Sequence, residues 1–167
     1  SFAPLTSAAQ TWGQQGIDMD GEAADDFSGT SVSMPDNNTV AIGATGNDVN
    51  GSGAGHVRIY RWNGSAWGQK GLDIDGEAAG DYSGSSVSMP DSSAIAIGAY
   101  GNDGSETDAG HVRVYVFCSP SSDSISPTAC NSYTSPSDNY TWTTSGTYMD
   151  TIPNTTVCDS IITISPY

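Results

Sequence analysis

The stretch Asp73-Ile-Asp-Gly-Glu-Ala-Ala-Gly-Asp-Tyr-Ser-Gly84, followed by Ser85-Ser-Val-Ser-Met-Pro90, occurs twice in this chain. Its earlier copy is Asp18-Met-Asp-Gly-Glu-Ala-Ala-Asp-Asp-Phe-Ser-Gly29, then Thr30-Ser-Val-Ser-Met-Pro35. Trp12 and Trp67, Met34 and Met89, Gly43 and Gly98, and His56 and His111 are all 55 residues apart. Residues 12–61 align with 67–116 without a gap, and 32 of the 50 pairs are identical. A fixed period of this size marks a repeat architecture, in which one unit cannot bury its apolar face without a neighbour.

Composition narrows the partners. Nineteen acidic residues face four basic ones, Arg58, Arg61, Lys70 and Arg113, for a formal charge of −15. A polyanion of this kind is repelled by phosphate backbones and by anionic membranes, so no nucleic acid partner is expected. Cations are its natural counter-species, and the charge keeps the chain soluble in a salty medium. No apolar run is long enough to span a bilayer. The 20 glycines, with many Ser, Thr, Asn and Asp, supply turns rather than helices. The three cysteines, all at or after Cys118, suit an oxidising compartment in which the tail needs a staple and the repeats do not.

Within each repeat the pattern predicts short strands. Trp12–Ile17 and Trp67–Leu72 are the first candidates. Ser31–Met34 and Ser86–Met89 alternate small polar with apolar residues, the period of a half-buried strand. Thr39–Gly43 and Ala94–Gly98 are continuously apolar and should be buried on both faces. His56–Trp62 and His111–Phe117 alternate again, and Pro35–Asn38 and Pro90–Ser93 carry Pro and Asp where a turn uses them. Four short strands per unit is the form of a propeller blade.

These residues resemble a known family. Phe27-Ser-Gly29 with Val40-Ala-Ile-Gly-Ala44, and Tyr82-Ser-Gly84 with Ile95-Ala-Ile-Gly-Ala99, look like the two halves of the FG-GAP repeat of integrin-α-type β-propellers. Ala54-Gly-His-Val-Arg-Ile-Tyr60 and Ala109-Gly-His-Val-Arg-Val-Tyr115 fit that family's closing strand. The resemblance covers about residues 12–117 and implies four-stranded antiparallel blades with an extracellular recognition role. The family's calcium loop between the two halves is replaced here by the turns at 35–38 and 90–93, so that calcium site is not carried over. A ring takes about seven blades and two cannot close one. An exposed strand edge is therefore expected near the N-terminus.

The Ser- and Pro-rich stretch 118–129 reads as a linker. Beyond it, 130–167 holds three β-prone runs, Tyr140–Thr144, Gly146–Met149 and Ser160–Ile164. Cys130-Asn-Ser-Tyr, Tyr140-Thr-Trp-Thr-Thr144 and Val157-Cys-Asp-Ser-Ile-Ile-Thr-Ile164 are similar to repeats of bacterial surface adhesins of the gliding-motility type. Asp123-Ser-Ile125, Asp150-Thr-Ile152 and Asp159-Ser-Ile161 look like the sites such lineages O-glycosylate, at Ser124, Thr151 and Ser160. Asn37, Asn50, Asn63, Asn139 and Asn154 begin N-x-S/T triplets. A disulfide joining Cys130 to Cys158 would staple the tail, with Cys118 left to pair between chains or with Cys130 instead.

Asp18, Asp20, Glu22 and Asp26 stand at positions 1, 3, 5 and 9 of the first loop, as do Asp73, Asp75, Glu77 and Asp81 in the second. Alternate carboxylates of a tight loop suit Ca²⁺, the one cofactor expected. The competing explanation is a solvated lead-in to the next strand, since Gly21 and Gly76 sit at position 4 and not at position 6, where an EF-hand has its glycine. His56 and His111 recur beside Arg58 and Arg113 and are expected to make structural hydrogen bonds within their blades. The pairs Trp12/Trp67, Tyr60/Tyr115 and Phe27/Tyr82 read as packing between blades, and Trp142 and Tyr148 as sheet packing or a binding surface. There is no nucleophile elbow, zinc-ligand spacing, phosphate loop or acid–base dyad, so no catalytic residue is assigned and no enzyme is expected.

The chain therefore reads as all-β. Two four-stranded propeller-like blades, about 7–61 and 62–117, precede a small disulfide-stapled β module. The expected role is an extracellular, cell-surface structural and adhesive protein that forms a homo-oligomer or polymer through its repeat edges. Other surface proteins or glycans are its expected partners. The alternative is a calcium-dependent lectin- or integrin-like binding module.

Overall fold

The computed structural model describes residues 11–118, 121–127, 132–152 and 160–165. Every regular element among them is a strand. The chain divides into two compact units, Ser1–Val114 and Tyr115–Tyr167.

In the first unit, β1 (Ser28–Asp36), β2 (Thr39–Ala44) and β3 (His56–Trp62) form an antiparallel meander. The second repeat then completes this sheet. Its opening residues supply β4 (Trp67–Gln69) and β5 (Ile74–Asp75), both paired with β3. β6 (Ser83–Asp91), β7 (Ala94–Ala99) and β8 (His111–Val116) form a second sheet in the order β6-β7-β8.

Two expectations change for one physical reason. Trp12–Ile17 is not a strand, and the second sheet has three strands rather than four. A Trp-Gly-Gln segment becomes a strand by pairing with the closing strand of the preceding repeat, as Trp67–Gln69 does with β3. The period that puts β3 at 56–62 puts its predecessor at 1–7, which reads Ser-Phe-Ala-Pro-Leu-Thr-Ser and shares none of those residues. One period beyond Trp67-Gly-Gln69 lies Ser122-Asp-Ser124, equally unlike it. Trp12 accordingly lies fully exposed instead of packing between repeats, while Trp67 meets Trp62 at 5.5 Å between ring centroids.

The repeats join face to face. Cross-strand partners place Ser31, Ser33, Ala41, Gly43, Val57 and Ile59 on one face of the first sheet. β6 crosses that face. Ser31 Oγ donates to the Gly84 carbonyl at 2.6 Å, and the Met89 N–H donates to Ser33 Oγ at 2.9 Å. In β1 the serines thus turn toward the second repeat, and Val32 and Met34 stand outward. Equivalent residues differ sharply in exposure across the repeat. Met89 is 6% exposed and Met34 53%, whereas Val57 is 0% exposed and Val112 67%. The first repeat leaves one face open and the second repeat leaves the opposite one.

Gly43 marks the closest approach at this seam. A methyl group there would run into the backbone carbonyl of Gly84, but at the equivalent Gly98 it would meet only the Ser86 hydroxyl, which can rotate away. Gly43→Ala should therefore cost about 1–3 kcal/mol, and Gly98→Ala distinctly less. Urea unfolding of the two variants measures the difference, and equal losses would place the seam elsewhere.

In the second unit, β9 (Ser121–Ile125), β12 (Tyr148–Ile152) and β13 (Ser160–Ile164) form a sheet in the order β12-β13-β9, with β13 and β9 parallel. β9 thus places a strand inside the stretch expected to be a linker. β10 (Tyr133–Thr134) pairs with β11 (Thr141–Trp142). Trp142 stacks on Tyr148 at 4.6 Å, with Tyr133 and Tyr140 at 6.3 and 6.0 Å. Cys130 and Cys158 lie outside the described residues, as does Asn154. Cys118 is disulfide-bonded, and no Cys130–Cys158 bridge is among the described contacts.

Asp150, 1% exposed, accepts from Ser137 N at 2.8 Å and Ser137 Oγ at 2.6 Å. Burial works to raise its carboxyl, but the bonds from Ser137, Ser135 and Thr151 outweigh it and hold the group below its ordinary value of 3.8. A depressed carboxyl stabilises fully above that ordinary value and loses its contribution as pH falls through the folded one. The near-ultraviolet dichroism of the Trp142–Tyr148 stack should therefore decay as pH falls below about 4. Asp150→Asn should flatten that decay, and an unchanged acid profile would remove Asp150 as its cause.

Candidate functional site

Each acidic loop is folded by its own last carboxylate. Asp26 Oδ2 accepts the N–H groups of Glu22 and Ala23 at 3.2 and 2.9 Å, and Asp81 Oδ2 accepts those of Glu77 and Ala78 at 3.2 and 3.0 Å. Asn102 Nδ2 adds a third bond to Asp81 at 3.0 Å. These short-range bonds close a turn in the way side-chain acceptors close Asx turns, which is why both acids are buried.

The loop is then clamped to the closing strand of its own repeat. Arg58 Nη2 donates to the Asp20 carbonyl at 2.7 Å, and Nη1 lies 3.5 Å from Glu22 Oε1. Arg113 repeats this on the Asp75 carbonyl at 2.6 Å and on Glu77 Oε1 at 3.6 Å. Position 3 of each loop thus contributes its backbone carbonyl to the clamp. Asp18 accepts from Gln14 Nε2 at 2.8 Å on the surface, and Asp73 Oδ1 accepts from Gln69 Nε2.

The eight acids expected to hold calcium are not gathered as two sets. Among the described residues, the ligating atoms that meet are those of Glu22, His56 and Asp73, all within 4.8 Å of one another. Register explains this. β5 lies antiparallel to β3 with His56 opposite Asp75, which carries Asp73 of the second repeat to the start of β3 in the first. His56 Nδ1 is 3.9 Å from Glu22 Oε2 and 3.9 Å from Asp73 Oδ2. The structural hydrogen bond expected of His56 is not formed, since neither ring nitrogen has a partner among the described residues. In the second repeat, His111 Nδ1 lies 3.7 Å from Glu77 Oε2. Burial raises the phenol of Tyr60, with the Arg58 charge opposing it and Asp73 and Glu22 adding to it.

The paired aromatic positions divide. Tyr82 stacks on Tyr100 at 5.1 Å and its N–H donates to the Gly53 carbonyl of the first repeat, whereas Phe27 is largely exposed. Asn37, Asn63 and Asn139 are exposed, and exposed Asn50 donates through Nδ2 to the Gly76 carbonyl. Ser124 and Thr151 are exposed on strands, and Ser160 is half-buried. The clamping role of Arg58 and Arg113 is the feature that sequence inspection missed. Its signal was the shared spacing of Arg and loop Glu, two opposite charges that recur together in a chain with four cations.

With this geometry in hand, the comparisons with known proteins are narrow. The FG-GAP repeat family model matches residues 72–117, nearly all of the second repeat. No curated protein and no solved structure matches the chain. The second repeat is thus similar to FG-GAP repeats, and the first carries the same motifs in the same order.

Arg58 is the better buried of the two clamps, its side chain 8% exposed against 23% for Arg113. Removing a charged hydrogen-bond donor costs about 1.5–3 kcal/mol when its partners are left without water. Arg58→Ala should lose about that amount. Arg113→Ala should lose clearly less. Thermal or urea unfolding of both variants decides, and equal losses would mean that the clamp does not hold the loop.

Proposed function

We propose that this chain is an extracellular, surface-displayed structural and adhesive protein whose FG-GAP-like repeats assemble head to tail between copies. One observation carries the proposal: the seam inside the chain joins two unlike faces, and one mate of each kind is left open at the ends. The covered pair is Gly43 and Val57 against Gly84 and Met89. Their open counterparts are Val112 on the second repeat and Gly29 and Met34 on the first.

A second copy that placed its first repeat on the second repeat of its neighbour would bury the same residue types already buried within the chain. Such a contact is heterologous, so it propagates into a ring or a filament rather than stopping at a dimer. Repulsion between copies of charge −15 opposes it and is screened beyond about 8–10 Å at physiological salt, so assembly should strengthen as salt rises. The similarity of 72–117 to FG-GAP repeats, which are typical of extracellular and surface proteins, supports the location.

Two charged substitutions test this on the full chain. Val32→Asp blocks one open face and Val112→Asp the other, both at exposed positions where the monomer fold is spared. At micromolar concentration in saline, the unmodified chain should sediment as oligomers or polymers and each variant as a monomer. Mixing the two variants should give a dimer and nothing larger, because each retains one usable face. A monomeric unmodified chain would end the proposal.

A further inference from the structure

We propose that Glu22, His56 and Asp73 form a binding site for one divalent transition-metal ion, of the zinc class, at the seam between the two repeats of a single chain. The site lies within one molecule and does not rest on assembly between copies.

Its centre is a buried imidazole. His56 is 0% exposed, and neither ring nitrogen finds a hydrogen-bond partner among the described residues. A buried polar group left without a partner is costly, and native structures rarely keep one without a reason. The reason is visible 3.9 Å away, where Glu22 Oε2 and Asp73 Oδ2 both face Nδ1. That spacing is too long for hydrogen bonds. It is close to the spacing of ligands around one ion: bonds of about 2.0–2.2 Å at tetrahedral angles set neighbouring ligand atoms roughly 3.4 Å apart, so each carboxylate would move toward the imidazole by roughly half an ångström, and the two carboxylate oxygens, within 4.8 Å of each other, would close on the same ion.

The outer contacts of both carboxylates fit the same role. Glu22 turns Oε1 to Arg58 and Oε2 to His56. Asp73 turns Oδ1 to Gln69 Nε2 and Oδ2 to His56. Each acid therefore has one oxygen held by a neighbouring side chain and the other directed inward, the arrangement that orients metal ligands. Imidazole nitrogen favours zinc and its neighbours over calcium or magnesium, which prefer all-oxygen shells. Three protein ligands with Glu22 partly exposed leave a position for water or for a group from a partner.

The second repeat supplies an internal control. His111 and Glu77 reproduce two of the three ligands, but one period beyond Asp73 the sequence has Thr128, which carries no carboxylate.

The test is binding of Zn²⁺ to the metal-stripped full chain, followed by titration calorimetry and native mass spectrometry. One ion per chain is expected. Asp73→Asn, Glu22→Gln and His56→Gln should each weaken binding about tenfold or more, while Glu77→Gln leaves it unchanged. X-ray absorption of the bound zinc should show a single imidazole, and a hundredfold excess of Ca²⁺, roughly, should not displace the ion. Asp73→Asn and Glu22→Gln alter partly exposed side chains, so the test survives if His56→Gln fails to fold. Failure to bind, equal loss in Glu77→Gln, absence of imidazole from the zinc shell, or displacement by Ca²⁺ would each overturn the proposal.

Discussion

The first unit depends on one close approach, where the backbone of Gly43 in β2 lies against Gly84 in β6. A side chain at either position would hold the sheets apart. Their contact lets Ser31 and Ser33 reach the β6 backbone and closes Met89 and Val57 away from water. Burying side chains of this size contributes about 1.5–3 kcal/mol each. A small sheet that exposes one apolar face gains that only with a neighbour, so the seam has to be as tight as glycine allows.

A second constraint is electrostatic. A chain with 19 acids and four Lys or Arg residues has few ways to neutralise a loop of carboxylates. The structure divides the task. Asp26 and Asp81 fold the loops by accepting backbone N–H groups, and Arg58 and Arg113 tie those loops down through carbonyl and carboxylate together. One carboxylate then crosses from the second repeat to the first, where Asp73 joins Glu22 beside His56. The acidic motif is therefore less a self-contained ion loop than a strap between a repeat and its predecessor.

This arrangement bears on function because it is directional. Each repeat depends on its successor for a fourth strand and for the cover over its serine face. The first repeat has both within the chain, as β4 and β6. The open face of Val32 and Met34 and the open face of Val112 are the ends of that sequence of dependence. The tail unit has its own logic, with parallel β9 and β13, a stacked aromatic cluster and a buried carboxylate that accepts from Ser137.

Much was legible from the residues alone. The 55-residue period, the strand alternation and the turn chemistry are local, and they were enough to place β1, β2, β3, β6, β7 and β8 to within a few residues. Local pattern also showed that the acids and histidines recur together. Pairing across distance was beyond its reach. Trp12 and Trp67 sit in nearly identical sequences, yet of the two only Trp67 lies in a strand, because among the described residues only Trp67 has a strand to pair with, in β3. Ser31 and Ser86 differ in the same way, one covered and one exposed. The meeting of Glu22, His56 and Asp73, far apart in sequence, comes from the register of β5 on β3, and register is set by tertiary pairing rather than by any residue's neighbours in the chain.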